Sequence, residues 1–247
     1  MPEHEARMPM NPFDREIVQI RSTYAEFEQN DDMRNRWAPF VESEADVRAQ
    51  QQLAFSRLMR TAGFLHLEGL RILDFGCGSG RHLRQCIDMG AAASALHGVD
   101  LNAASVTYGR KISPDLDIAL GAGDTIAFPD ATFDLAVHYF AFSSMPGENL
   151  RKRIADEIRR VLKPDGWYFW WDMRHMAEAA GGCTERLDAA TLFPGRVVVD
   201  LQLGARPAPS ETLRPGRVRR FLGPMLDRLA PEPVFQAALI RPNASAT

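Results

Sequence analysis

The sequence predicts an α/β fold, with a mostly parallel sheet covered by helices on both faces. Three observations carry that expectation. From about residue 70, short apolar runs bounded by turn signals alternate with segments of helical periodicity. The first run, "RILDF", opens directly onto a turn holding three glycines in five residues, Gly76, Gly78 and Gly80. The 247 residues, 45% hydrophobic and 25% charged, suffice for one large domain with a real core, or for one domain with a small appendage.

Residues 1–13 read as a disordered polar tail. In "FDREIVQIRSTYAEFEQ" the apolar Phe13, Ile17, Ile20, Tyr24 and Phe27 recur at helical spacing and predict an amphipathic helix. "SEADVRAQQQLAFSRLMRTAGF" predicts a second helix, with Ser43 as its N-cap. Strands follow in "LRILDF", "ALHGVDL", "LDIALGAGD", "FDLAVHYF" and the end of "PDGWYFWWDM". Helices intervene in "HLRQCIDMGA", in "NAASVTYGRKI" with Asn102 as cap, and in "ENLRKRIADEIRRVL". The last of these presents a solvated charged face, with Glu157 and Arg153 at pairing distance. Beyond residue 180, "RLDAATLF" predicts a short helix, "GRVVVDLQL" and "PVFQAALIRP" two closing strands, and "VRRFLGPMLDRLA" an interrupted helix. The chain divides into a tail and helical lid over 1–60 and a main domain over 61–247, with core motifs at 70–175 and C-terminal strands and a basic loop at 187–241.

Composition excludes several classes. A formal net charge of −3 gives no bulk attraction to nucleic acid. The three cysteines, Cys77, Cys86 and Cys183, lack the paired spacing of a disulfide framework or zinc site, and no Asp/His/Glu cluster has metal-ligand spacing. The start, "MPEHEARMPMNPFDRE", is unlike a signal peptide. No apolar run reaches the roughly 18 residues of a membrane span, so a cytoplasmic setting is expected.

The glycine turn asks what approaches its backbone. A ligand of an open parallel sheet sits beyond the carboxyl ends of the strands, where strand order reverses. A dinucleotide frame would need glycine where Arg81 stands, and a pyrophosphate would be repelled by Asp74. An acid two residues before the glycines instead suits a guest carrying an ammonium or sulfonium. Here the chain resembles class I S-adenosylmethionine-dependent methyltransferases, a family with a Rossmann-like, doubly wound, mostly parallel seven-stranded sheet. The resemblance runs from about residue 70 to 175. It implies that Asp74, Gly76, Cys77, Gly78 and Gly80 form the cofactor loop. It implies that Asp100, with Leu101 beside it, takes the ribose hydroxyls. It further implies that Asp124 of "GDTIAFPDATFDLAV" accepts from the adenine amino group, with Thr125 and Ile126 supplying backbone contacts. The implied cofactor is S-adenosylmethionine and the product S-adenosylhomocysteine.

Methyl transfer is an in-line displacement that gains mostly from alignment. A base is needed only where the acceptor must lose a proton. The candidate bases are His138, His175 and Asp172, at the ends of the fourth and fifth strands, with Ser143 and Ser144 nearby. His138 has a second reading as a wall against the methionine part of the cofactor. Tyr139 and Arg174 are the candidate acceptor contacts. No Asn/Asp-Pro-Pro-Tyr motif follows strand four, which argues against amide and base-nitrogen acceptors. Asp172 and Arg174 resemble the Asp-x-Arg of bacterial glycan and natural-product methyltransferases, implying a small-molecule or glycan-type acceptor methylated at oxygen. Arg206, Arg214, Arg217, Arg219 and Arg220, balanced only by Glu211, suggest either a solvated linker or a lid over an anionic acceptor. Tyr24, Arg36 and Trp37 are the residues to watch for closure over the cofactor. Two other readings compete: a nucleic-acid methyltransferase, disfavoured because Trp167, Trp170 and Trp171 sit in a strand, and a cofactor-binding partner protein without turnover.

Overall fold

A computed structural model describes residues 12–29, 41–174, 186–193, 196–203 and 235–242. The helices are α1 (Pro12–Gln29), α2 (Glu42–Thr61), α3 (Arg81–Asp88), α4 (Ala103–Ile112), α5 (Glu148–Val161) and the single turn α6 (Ala189–Leu192). The strands are β1 (Ile72–Phe75), β2 (Leu96–Asp100), β3 (Asp117–Leu120), β4 (Phe133–Tyr139), β5 (Leu162–Met173), β6 (Arg196–Leu203) and β7 (Phe235–Arg241). They form one seven-stranded sheet in the order β3-β2-β1-β4-β5-β7-β6. The pairings from β3 across to β5 are all parallel. β7 runs antiparallel to both β5 and β6. The expected mostly parallel α/β architecture is therefore present.

β1 and the Gly166–Asp172 stretch of β5 are buried throughout because both faces are covered, whereas the edge strand β3 is mostly exposed. Alternate residues serve opposite faces. Leu73, Phe75, Ala136, Tyr168 and Trp170 pack with Ile154 and Ile158 of α5. Ile72, Leu135, Val137, Phe169 and Trp171 pack with Phe55 and Leu58 of α2 and Leu83 of α3. Trp170 and Trp171 are fully buried, so they serve the core and offer no surface on which bases could stack. Among the described residues no helix is long and apolar enough to cross a membrane.

Local chemistry sets most element ends. Asn102 caps α4 by accepting from the Ser105 amide at 2.9 Å, as expected. β3 stops at Leu120, before Gly121 and Gly123, the latter at φ 76°. The cap of α2 is a correction: the helix opens one residue before Ser43, with Val41 at the cap position and no side-chain cap bond. The fifth strand also starts earlier than expected, at Leu162, and absorbs Pro164–Gly166 through a register irregularity opposite Phe133 and Leu135. The helix expected at 218–230 lies outside the described residues.

Strand order reverses between β1, which leads outward to β2 and β3, and β4, which leads to β5. The crevice at their carboxyl ends is where such a sheet binds ligands.

Candidate functional site

The crevice holds a cavity of about 440 Å³. The turn after β1 supplies Gly76 and Gly78, and the end of β2 supplies Asp100, Leu101 and Asn102. The segment after β4 supplies Tyr139–Ala141 and Ser143–Met145, and α1 lays Ile20 and Tyr24 against the opening.

Gly76, Gly78 and Gly80 all adopt positive φ, at 70°, 54° and 78°, a region that costs any residue with a Cβ. At two of them the space is also taken. A Cβ on Gly76 would stand 3.1 Å from the Ala141 Cβ, and one on Gly80 would stand 2.8 Å from Ile118 Cδ1. The turn is thus wedged between the post-β4 segment and β3, with Gly80 also starting α3.

Two carboxyls flank this turn. Asp100 Oδ2 accepts from the Gly78 amide at 2.7 Å and Oδ1 accepts from the Asn102 amide at 2.7 Å. Burial raises its pKa, against the pull of those amides. Asp74 is fully buried at the end of β1, and neither oxygen has a hydrogen-bond partner. Burial first, then the charge of Asp100, pushes its pKa well above the ordinary carboxylate value, with Arg81 opposing. An orphaned carboxylate beside a second acid is a site for a cationic guest. The ammonium of S-adenosylmethionine is a guest of that charge; Gly76, Gly78 and Asp100 line the cavity, and Asp74 lies just behind that lining.

Arg81, where a dinucleotide frame would need glycine, donates to Gln51 Oε1 at 2.8 Å and lies 2.7 Å from His82 Nε2. Burial holds His82 neutral by lowering its pKa well below the usual value, and its ring stacks on Tyr139 at 3.4 Å between centroids. Tyr139 is therefore a cavity wall braced from behind.

Several expected site residues lie elsewhere. His138 is fully buried, with Nε2 3.2 Å from Asp172 Oδ2 and Nδ1 2.6 Å from the Tyr168 hydroxyl. Both ring nitrogens are engaged, burial lowers its pKa, and the residue lies behind the cavity lining. Asp172 is likewise fully buried and accepts from backbone amides. Asp124, Thr125 and Ile126 do not line the cavity. The Asp124 carboxylate lies 3.6 Å from Arg153 Nη2, and the Ile126 amide donates to Glu157 Oε2 at 2.8 Å. That also corrects the expected pair of Glu157 with Arg153: Glu157 bonds Arg160 at 2.7 Å instead. Cys77 packs beneath Gly98, where a Cβ would stand 2.6 Å from Sγ, and burial raises its thiol pKa. Arg174 is buried, 3.9 Å from Asp188, and is not part of the wall. His175, Arg36, Trp37 and the arginine segment 204–220 lie outside the described residues. Among the described residues no group of three His, Cys, Asp or Glu could hold a metal.

Other wall residues carried no site signal in the sequence. Phe140, Ala141, Met145 and Met173 are ordinary apolar residues there, and Ile20 read only as one point of a helical stripe. Phe140 has φ 61°, a turn that no local motif marks.

Comparison with known proteins agrees with this geometry. Residues 73–170 match the family model of the methyltransferase domain. The chain is 32% identical over 126 residues to phthiotriol/phenolphthiotriol dimycocerosates methyltransferase 1 of Mycobacterium ulcerans, covering 49% of this chain and 44% of that protein. It is 28% identical over 138 residues to the fatty-acid O-methyltransferase of Mycolicibacterium smegmatis, covering 55% of this chain and 47% of that protein. The matched stretch is thus under half the length of either relative. Among solved structures, a putative sarcosine dimethylglycine methyltransferase from Galdieria sulphuraria shares the fold, with TM-score 0.59 and 15% identity over 79% of this chain and 86% of that one.

Proposed function

Because residues 73–170 match the family model of the methyltransferase domain, whose class I members depend on S-adenosylmethionine, we propose that this protein moves a methyl group from that cofactor to an oxygen of a small apolar acceptor. The observation that carries the acceptor class is the wall beyond the glycine turn. Ile20, Phe140, Ala141, Met145 and Met173 make it apolar, and the Tyr24 and Ser144 hydroxyls, 3.2 Å apart, supply a polar point. The relatives named for dimycocerosates and a fatty acid support the same class. The glycan-type acceptor leans on Asp172 and Arg174, which do not line the cavity, and the phosphorylated or nucleotide-linked sugar on the arginine segment, outside the described residues; we place both second.

In this reading Asp74 holds the cofactor's amino group and Asp100 its ribose hydroxyls. Leu101, Gly121 and Ala122 border the adenine, while Asp124, turned to Arg153 and outside the cavity lining, is left without that contact. When bound, the cofactor supplies a methyl on a positively charged sulfur. The chain's own contribution is to exclude water and align the acceptor oxygen, from which most of the rate can come. Since His138 and Asp172 are enclosed, an acceptor already ionised, such as a carboxylate, needs no base from them.

The test is release of S-adenosylhomocysteine when protein and S-adenosylmethionine are incubated with long-chain fatty acids, apolar alcohols, phenols or sugar phosphates. Turnover confined to the first three supports the reading. Turnover with sugar phosphates alone overturns the acceptor class. Tight cofactor binding with no turnover on any of them leaves a cofactor-binding partner protein.

A further inference from the structure

Asp172 lies behind the cavity wall, yet it gathers the segment that forms that wall. Its Oδ2 accepts from the Phe142 amide at 2.8 Å, the Ser143 amide at 3.1 Å and His138 Nε2 at 3.2 Å. Its Oδ1 accepts from the Met173 amide at 2.7 Å. The imidazole is itself oriented, because the Tyr168 hydroxyl donates to Nδ1 at 2.6 Å and leaves the proton on Nε2, facing the carboxylate. All three side chains are fully buried. The segment so held turns sharply at Phe140 (φ 61°) and makes a short helical turn over Phe142–Ser144. Its near side presents Ala141 to Gly76, and its far side presents Ser144 to Tyr24 of α1.

We propose that Asp172, oriented by the His138–Tyr168 pair, is a positioning residue that fixes the Phe140–Met145 segment at the methionine end of the cofactor cavity. The proposal rests on the cofactor reading above. A carboxylate is suited to this task because one oxygen can accept several N–H donors at once. The backbone needs such an acceptor, since the Phe142 and Ser143 amides sit at the start of a short helical turn and lack partners within it. The spacing at Gly76 leaves little room for drift: at 3.1 Å, even the Cβ of an alanine there would crowd Ala141. Loss of the Asp172 bonds therefore moves the wall where the amino-acid arm of the cofactor passes. The ribose contact at Asp100, held by its own amides across the crevice, is untouched.

The experiment compares two probes by calorimetry on the full chain. S-adenosylhomocysteine carries the amino-acid arm, and adenosine does not. Asp172→Leu, of similar size but unable to accept, is expected to weaken S-adenosylhomocysteine by roughly tenfold or more, on the scale of two lost hydrogen bonds, and to leave adenosine unchanged. Asp172→Asn keeps an oxygen for the three donors and is expected to stay within about threefold of wild type for both probes. A folded Asp172→Leu that binds S-adenosylhomocysteine like wild type overturns the proposal, as does a parallel loss of adenosine. Should Asp172→Leu fail to fold, amide hydrogen exchange in the wild-type protein decides: protected Phe142 and Ser143 amides support the proposal, and rapid exchange overturns it. Wild-type protein that binds neither probe would instead sink the cofactor reading.

Discussion

Asp74 carries a carboxyl that the fold buries completely and leaves without a hydrogen bond. A carboxyl whose folded pKa lies above its unfolded value holds its proton more tightly in the folded chain. Its contribution to stability is intact below the ordinary value of 3.8 and is lost as pH rises through the raised folded value. At neutral pH the cofactor-free protein therefore carries a penalty that a cationic ligand relieves. Asp74→Asn should raise the neutral-pH stability of the cofactor-free protein by about 1 kcal/mol or more, because the amide is no better bonded than the carboxyl but has no charge to bury. It should also weaken S-adenosylhomocysteine by about 1.5–3 kcal/mol, the worth of a hydrogen bond to a charged group. Thermal unfolding and calorimetry on one sample check both, and a variant destabilised without ligand would show that Asp74 is already satisfied. The turn that follows this residue was legible in the sequence because its members are local: acid, spacer and glycines follow one another, and the glycines take positive φ. His138 and Asp172 were not. What sets them behind the cavity wall is burial between β4 and β5, where His138 registers against Trp170, and no spacing along the chain reports the strand that lies alongside.

On the element scale, α5 does more than cover the sheet. Arg160 donates to the Ile126 carbonyl at 2.9 Å, the Phe128 carbonyl at 2.9 Å and the Asp130 carboxylate at 2.7 Å. Glu157 accepts the Ile126 amide at 2.8 Å. The pair clamps the segment that follows Asp124 onto the helix. Only the planar five-donor fork of arginine reaches so many acceptors at once. Arg160→Lys should cost about 1 kcal/mol, in keeping with partly exposed charged contacts, and should speed hydrogen exchange at the Ile126 amide. Glu157 has its pKa lowered, mainly by Arg160. Its contribution is present above the ordinary 4.5 and disappears as pH falls through the lowered folded value. Protection of the Ile126 amide should accordingly be greater in wild type than in Glu157→Gln at neutral pH and equal in the two once Glu157 is protonated. An identical profile at neutral pH would remove the clamp. Helical spacing located α5 correctly and still misassigned its pairing. Arg153 sits four residues from Glu157, but its guanidinium lies over the Phe13 ring, 5.1 Å from the centroid, and near Asp124. Tertiary acceptors outbid the neighbour on the same helix face, and the spacing rule sees only that neighbour.

For the whole molecule, the fold was legible because alternation of strand and helix is written in periodicity, and because a parallel sheet with short crossovers has few topologies. The closure of the cavity was less so, since it joins α1 to a segment some 120 residues later: Tyr24 meets Ser144 at 3.2 Å, with |i−j| of 120. Ile20 of α1 is 5% exposed and belongs to the core on the α5 face of the sheet. Ligand binding should thus be felt as global stability. A ligand that binds only the folded chain stabilises it by about 2.7 kcal/mol at one hundred times its dissociation constant. In a chain of this size each kcal/mol moves the midpoint by roughly 2–4 °C, so S-adenosylhomocysteine should raise Tm by roughly 5–10 °C. NAD at the same concentration should leave Tm unchanged. Asp74 repels its pyrophosphate, and Arg81, tied to Gln51 and His82, fills the place of the third glycine. The shift with S-adenosylhomocysteine should grow with the logarithm of its concentration, as linkage requires for a single site. A protein that NAD stabilises and S-adenosylhomocysteine does not would mean that the two acids serve a different guest.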